Sequence, residues 1–311
     1  MQEGTWFFGY GATLNENVIK NRKLSPLEAS PGRLDEYRLV FDVGHMGDGA
    51  AFASVRAATG DACVHGMLYC FSEEDFTAMM RSENAIAPPK GAEDNRTYVP
   101  ELVKVTKYDG STVQAYTLVN IKAVRAEQPG GDQKDKMEYK PSWRYLAVIC
   151  EGARGNELDE AYTADLAALE YIKGPAKKAV QEIDPSAKKF TLKKLAEYNG
   201  DYSQNMTVGR NGHTMIAQRT PSPVYVAFRG KVFDASISRE AYRSGFLGGL
   251  AGRDITKHMM TFAYVPSVDV DGSVLEVDEA DGMNAMQRDL LDSIEGVMTV
   301  RNKLVGVLAD G

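Results

Sequence analysis

Through the first 120 residues the chain alternates short apolar runs with glycine-rich polar turns, a spacing that predicts strands. Phe7-Phe8-Gly9 reads as the end of an apolar strand running into a Tyr10-Gly11 turn. Tyr37–Phe41, Ala51–Val55 and His65–Phe71 are also strand-like. Ser72 followed by Glu73-Glu74-Asp75 has the form of an N-cap with an acidic first turn, predicting a helix through Met80. Val103–Val105 and Val113–Tyr116 flank Asp109-Gly110, a hairpin signal. Residues 122–140 are polar and predict a solvated loop. Helices are predicted over Trp143–Ala153 and from about Asp159 to Ile172.

The pattern then breaks. Lys173–Lys189 holds Gly174-Pro175, Pro185 and five lysines, the composition of an exposed linker. A second domain begins at Phe190, with a helix over Leu192–Tyr198 and a strand over Val224–Phe228. A tight turn at Arg229-Gly230 leads into Val232–Asp234, and several helices follow. The polar segment Asp201–Pro221 and the stretch Val265–Glu279 read as extensions of the kind that form binding surfaces. The halves show no internal repeat. Periodicity alone gives an α+β protein of two domains.

Composition narrows the function. Apolar content of 43% and charged content of 25% in 311 residues fit globular domains with sizeable cores. The absence of an apolar run of 18 residues predicts no membrane span. Met1–Thr5 has neither a basic nor an apolar signal region, so no targeting signal is read. Cys63, Cys70 and Cys150 are scattered and form no CxxC pair, which predicts reduced thiols in a cytoplasmic or organelle-matrix compartment. Their apolar contexts predict buried small hydrophobes. His45, His65, His213 and His258 lack metal-ligand spacing, so no metal is expected. A net charge of −7 argues against nucleic-acid binding.

The segment Phe7–Leu14 carries the first candidate chemistry. A turn at a strand end presents backbone N–H groups and a hydroxyl, which together can hold a small anion such as an α-carboxylate. Tyr10, Gly11, Ala12 and Thr13 are the candidate substrate-binding residues.

Five blocks in order make residues 5–172 resemble the γ-glutamylcyclotransferase superfamily. Tyr10-Gly11-Ala12-Thr13-Leu14 stands where that family has Tyr-Gly-Ser-Asn-Leu/Met. Tyr37–Asp42, Phe52–Val55 and Val64–Tyr69 match its next strands. Pro141–Leu146, with Glu151–Arg154 and Leu158–Tyr162, matches its C-terminal helix pair. The resemblance implies a small β-barrel with flanking helices. It also implies an internal aminolysis, in which the α-amino group of a γ-glutamyl compound attacks its own γ-carbonyl and 5-oxoproline forms. A base must first free the amine of a proton, and a partly buried carboxylate is suited to that. Glu83 stands at the family's base position, and the Tyr10–Thr13 turn at the position that holds the substrate carboxylate and the oxyanion. Here Ala12-Thr13 replaces Ser-Asn, Asn84 replaces the following Gly, an insertion spans Ala85–Arg96, and Tyr98 takes the place of the next aromatic.

Residues 190–308 resemble the cytochrome-b5-like haem/steroid-binding domains of the membrane-associated progesterone receptor class. Phe190–Gly200, Val224–Asp234, Leu250–Lys257 and Leu304–Leu308 match its successive blocks. The class's axial tyrosine falls on Leu247 and its second pocket tyrosine on Asn302, while Tyr242 matches an earlier, supporting tyrosine. The resemblance therefore implies no haem, or weak binding through Tyr242, with a groove left for an apolar ligand or a partner's side chain. His213 and His258 are not at ligand positions.

The expected organisation is a γ-glutamylcyclotransferase-like domain over 1–172, a linker over 173–189 and a cytochrome-b5-like α+β domain over 190–311. With family residues replaced in both domains, the leading expectation is an accessory or structural subunit of a larger protein assembly. The alternative is an active cyclotransferase with Glu83 as base and a small γ-glutamyl compound as substrate. A haem or steroid carrier is the third.

Overall fold

The structure, a computed structural model, describes residues 4–44, 50–128, 131–132, 134, 137–174, 186–201, 206–208, 214–216, 221–243 and 247–309. His45, His213, Ser244–Phe246, much of the expected linker and most of Asp201–Pro221 lie outside the described residues. Two compact units form. One comprises Met1–Ala176 with Tyr264–Leu290, the other Lys177–Ala263 with Leu291–Gly311.

The first unit is built on a closed five-stranded barrel. Its strands are Thr5–Gly9 (β1), Glu28–Asp35 (β2), Cys63–Phe71 (β5), Tyr98–Lys107 (β6) and Thr112–Asn120 (β7), joined in the order β1-β5-β2-β6-β7. A parallel contact of Phe7 with Tyr116 closes the ring. Tyr37–Val43 (β3) and Phe52–Ala57 (β4) form a separate antiparallel pair. Glu16–Asn21 (α1), Glu73–Ser82 (α2), Ile121–Ala126 (α3), Trp143–Gly155 (α4) and Glu160–Ala167 (α5) complete the first part of the unit. Helix α2 packs on β1 and β5. Phe7 and Phe8 are both buried although strand neighbours face opposite ways, because the barrel interior takes one and covering elements the other.

Two features depart from the sequence pattern. Strand β2 was not expected, because Pro31-Gly32 interrupts it. Its pairing with β6 begins only at Gly32, so Pro31 breaks little of that ladder. Residues 121–126 form α3 where a loop was expected. Asn120 caps it, its side chain accepting from the Lys122 amide at 3.0 Å, and Ile121, Ala123 and Ala126 are buried.

Residues 264–290 belong to the first unit by their contacts. Trp143 donates through Nε1 to Asp269 at 2.6 Å, Arg144 to the Tyr264 carbonyl at 2.9 Å, and Arg154 to the Val270 carbonyl. Val277–Asp278 (β13) and Met283–Asn284 (β14) pair there.

The second unit has a four-stranded sheet of Tyr225–Phe228 (β11), Lys231–Asp234 (β12), Lys303–Leu308 (β15) and Lys189–Phe190 (β8), in that order, with β15 and β8 parallel. Arg229 and Gly230 both have positive φ, the geometry of a two-residue hairpin turn between β11 and β12. Phe190, Leu195, Ala227 and Val232 form its buried core. A second pair joins Met206–Val208 (β9) to Thr214–Ile216 (β10). The helices are Leu192–Leu195 (α6), Arg239–Arg243 (α7), Thr256–Phe262 (α8) and Ala285–Arg301 (α9), the unit boundary falling within α9. Among the described residues no helix is long and apolar enough to cross a membrane.

Candidate functional site

Tyr10 follows β1, and the chain turns through a 3₁₀ turn at Ala12–Leu14. Helix α4 fixes that turn. Asn156 donates to the Leu14 carbonyl at 2.6 Å, and Asn15 donates to Glu151 at 2.5 Å. Asn15 also caps α1 by accepting from the Asn17 amide at 3.0 Å. Gly11 is required by close approach: a Cβ there would lie 2.9 Å from the Tyr145 hydroxyl. Thr13 is buried, and its carbonyl accepts from the Tyr69 hydroxyl at 2.8 Å.

Glu83 is placed by the way α2 ends. It is the C-cap residue, and Asn84 follows with φ of 51°. The Asn84 amide bonds to the Arg81 carbonyl at 3.1 Å and the Ala85 amide to the Met80 carbonyl at 2.9 Å, the paired closure of a Schellman motif. Asparagine tolerates this left-handed position better than most residues. Its side-chain amide also donates to the Asn95 carbonyl and to Thr97, at 2.9 and 3.1 Å, tying the inserted loop back to the helix end. The Glu83 side chain is 19% exposed and paired with Arg22. Arg22 also donates to Ser82 at 3.2 Å.

Three phenols complete the cluster. Tyr10 donates to the Leu118 carbonyl, and Tyr98 to the Ala53 carbonyl at 2.9 Å. Tyr145 accepts from the Ala53 amide at 3.2 Å. Burial above all, with neighbouring charge including that of Glu83, holds the Tyr10 and Tyr98 phenols well above their ordinary range. Burial pushes Tyr145 up to about 12, with Glu83 adding to the rise. The Glu83 charge therefore bears on all three rings, and the Tyr10–Thr13 turn, Glu83, Arg22, Tyr98 and Tyr145 share one neighbourhood.

Sequence reasoning did not single out Arg22 or Tyr145. Tyr145 stood within one of the family-like blocks, but Arg22 on α1's C-cap carried no local signal. Asp42, also unremarked, is a buried carboxylate on β3. It pairs with Arg56 at 2.5 Å, and burial still raises its pKa.

In the second unit Tyr242 is buried, and burial raises the pKa of its phenol. That disfavours the phenolate an iron would take as ligand. Leu247 has no donor atom, and the Asn302 amide donates to the Met298 carbonyl at 3.1 Å. This donor set does not fit an axially ligated haem. His258 is exposed. Among the described residues no three His, Cys, Asp or Glu side chains are grouped to hold a metal ion.

Residues 7–145 match the family described as γ-glutamyl cyclotransferase, AIG2-like. The chain is 26% identical over 190 residues to the γ-glutamyl cyclotransferase gliK of Aspergillus fumigatus, an alignment covering 55% of this chain and 64% of that protein. The chain thus spans somewhat less than two thirds of that relative. Among solved structures, a γ-glutamyl cyclotransferase aligns at 19% identity and a TM-score of 0.42, covering 59% of this chain and 95% of its own. A cytochrome b5 domain protein of Hadesarchaea YNP_N21 aligns at 22% identity and a TM-score of 0.17, covering 39% of this chain and 97% of its own. The N-terminal part of the chain is γ-glutamyl cyclotransferase/AIG2-like, and its homologues include γ-glutamyl cyclotransferases.

Proposed function

We propose that the first unit converts γ-glutamyl compounds to 5-oxoproline. One observation carries the reading: in the cluster of Tyr10, Arg22, Glu83, Tyr98 and Tyr145, only Glu83 has a carboxylate to act as the base. Burial keeps the three phenols protonated, and a guanidinium has no basic lone pair to offer. Glu83 takes a proton from the substrate's α-ammonium. The freed nitrogen attacks the γ-carbonyl carbon, closing the five-membered ring. The bond to the departing amine breaks as that amine takes the proton from Glu83, and Glu83 then passes the ring nitrogen's remaining extra proton to the released amine. Arg22 fixes the orientation of the carboxylate, which favours a near-attack geometry. Tyr145 accepts the Ala53 amide hydrogen bond and keeps its own proton to donate toward developing negative charge.

Purified protein incubated with a panel of γ-glutamyl amines, glutathione included, is expected to release 5-oxoproline detectable by mass spectrometry. Glu83→Gln is expected to lower the rate by about 100-fold or more, the usual share of general acid–base catalysis. Product formed equally by the variant would remove Glu83 from the reaction.

The second reading is a non-catalytic accessory subunit docked to other proteins. It is favoured by one contact that fills the site from within: Arg22 engages the carboxylate. No product from the unaltered chain with any amine of the panel would select this reading. For the second unit we propose a cytochrome-b5-like domain that works without haem, supported by its four matching sequence blocks and by Leu247 at the axial position. Titration with haemin is expected to leave no Soret band of a bound haem; a stable band lost in Tyr242→Phe would overturn it.

A further inference from the structure

A second cluster of reactive side chains lies on the outer face of the barrel. Cys63 and His65 are two residues apart on β5, so their side chains leave the same face of the strand. Cys63 Sγ is 3.6 Å from His65 Nε2, and His65 Nδ1 is 2.6 Å from the Tyr108 hydroxyl. The Tyr108 oxygen also accepts from the Asp159 amide at 3.0 Å. A nucleophile, a base and a group that orients the base are thus in line.

Cys63 also lines a cavity of about 430 Å³ between β3, residues 138–141 and α5. Phe41, Pro141 and Leu166 give it apolar walls, while of its carboxylates Glu138 is paired with Arg38 and Arg56 and Glu170 with Lys140. Tyr162 forms part of the same wall. Of the three cysteines only Cys150 is buried, so Cys63 is not the small buried hydrophobe its sequence context predicts.

We propose that Cys63 is a thiol-modification site that exchanges with a small aliphatic disulfide seated in this cavity. The Cys63 sulfur attacks one sulfur of the disulfide as its proton passes to His65 Nε2. The disulfide's S–S bond breaks, a mixed disulfide forms on Cys63, and the departing thiolate takes the proton from His65. One thiol and one disulfide give one thiol and one disulfide, so no further oxidant is needed. Burial raises the Cys63 thiol and lowers His65, so the resting pair is neutral and the imidazole is free to take the proton. The other groups facing the pair are Arg33 and Asp35 on β2, Tyr108 beyond β6, and Asp159 and Tyr162 at α5.

The test treats the full chain with cystamine and, separately, oxidised glutathione, then maps adducts on each cysteine by mass spectrometry from pH 6 to 9. Cys63 is expected to react with cystamine at least tenfold faster than Cys70, which is also half-buried, and faster with cystamine than with the much larger glutathione disulfide, which the cavity is too small to seat. Its rate is expected to be nearly flat around neutral pH. In His65→Gln, only the thiolate route remains and the rate should climb about tenfold per pH unit. Equal labelling of Cys63 and Cys70 in the unaltered chain would overturn the proposal without recourse to any variant. An unchanged pH profile in folded His65→Gln would also overturn it.

Discussion

At the scale of single residues, the candidate site depends on a few close approaches, and Gly152 is the sharpest of them. A Cβ on Gly152 would lie 2.5–2.7 Å from backbone atoms of Leu14 and Asn15. Alanine would favour helix α4 by about 0.5–1 kcal/mol through its better propensity. Backbone cannot yield as a flexible side chain can, and overpacking of this kind costs about 1–3 kcal/mol. The clash therefore wins. Gly152→Ala is expected to lower the denaturant midpoint of the first unit, and to lower any cyclotransferase rate as α4 pushes on the turn that follows Thr13. A midpoint unchanged or raised would show that propensity decides instead. This glycine was not legible in the sequence, since it sits inside a helix pattern with no turn to announce it. Asn84 was legible, because a residue tolerant of left-handed backbone directly follows a helix end. Arg22 was not, since its pairing with Glu83 spans 61 positions along the chain.

At the scale of elements, the clearest signals were those with local causes. Ser72 caps α2 through a bond to the amide three residues on, at 3.2 Å, as the sequence pattern expects, and Ser142 does the same for α4 at 3.3 Å. Gly110, with φ of 87°, turns the hairpin between β6 and β7. The errors had non-local causes. Strand β2 is held in the ring by β5 along its whole length, from Glu28 opposite Cys70 to Asp35 opposite Cys63, and that pairing overrides the poor strand propensity of Pro31-Gly32. Helix α3 is one and a half turns set in a polar context, too short for periodicity to reveal. Helix α5 ends at Ala167, short of the predicted Ile172. Ile172 instead exchanges backbone hydrogen bonds with the segment leading into α4: its carbonyl accepts from Trp143 at 2.8 Å and its amide donates to Pro141 at 2.9 Å. Barrel, cap and turn together bring Glu83 to Tyr10, so the candidate site was visible as residues but not as a cluster.

At the scale of the whole molecule, one unit boundary, at Ala176, falls where the composition changes, and the others, at Tyr264 and Leu290, do not. The change near residue 173 is plain in the sequence, yet Tyr264–Leu290 completes the first unit. Periodicity could not show this, because the segment contributes individual polar and apolar contacts rather than a regular element. The contacts are specific. Asp269 receives the Trp143 indole N–H, the Tyr264 hydroxyl donates to Glu151 at 2.8 Å, and Val270 and Met286 are buried in the same core as the barrel. Without the segment, Arg144 and Arg154 on α4 lose the carbonyls of Tyr264 and Val270. A hydrogen bond to a charged group contributes about 1.5–3 kcal/mol, and a fully buried aliphatic side chain such as Val270 or Met286 about 1.5–3 kcal/mol. The sum is comparable to the whole stability of an ordinary domain, about 5–15 kcal/mol. A fragment of residues 1–176 is therefore expected to melt well below the first unit's transition in the full chain, or to aggregate, although the barrel strands and Glu83 are all present in it. Scanning calorimetry on the two proteins decides the point. If the fragment melted at the full chain's temperature, residues 264–290 would be a surface attachment rather than part of the first unit's core. The same comparison bears on chemistry, because α4 carries Tyr145 and anchors the Tyr10–Thr13 turn. A fragment that stayed folded but lost activity would show that the segment acts by holding α4 in register with the site.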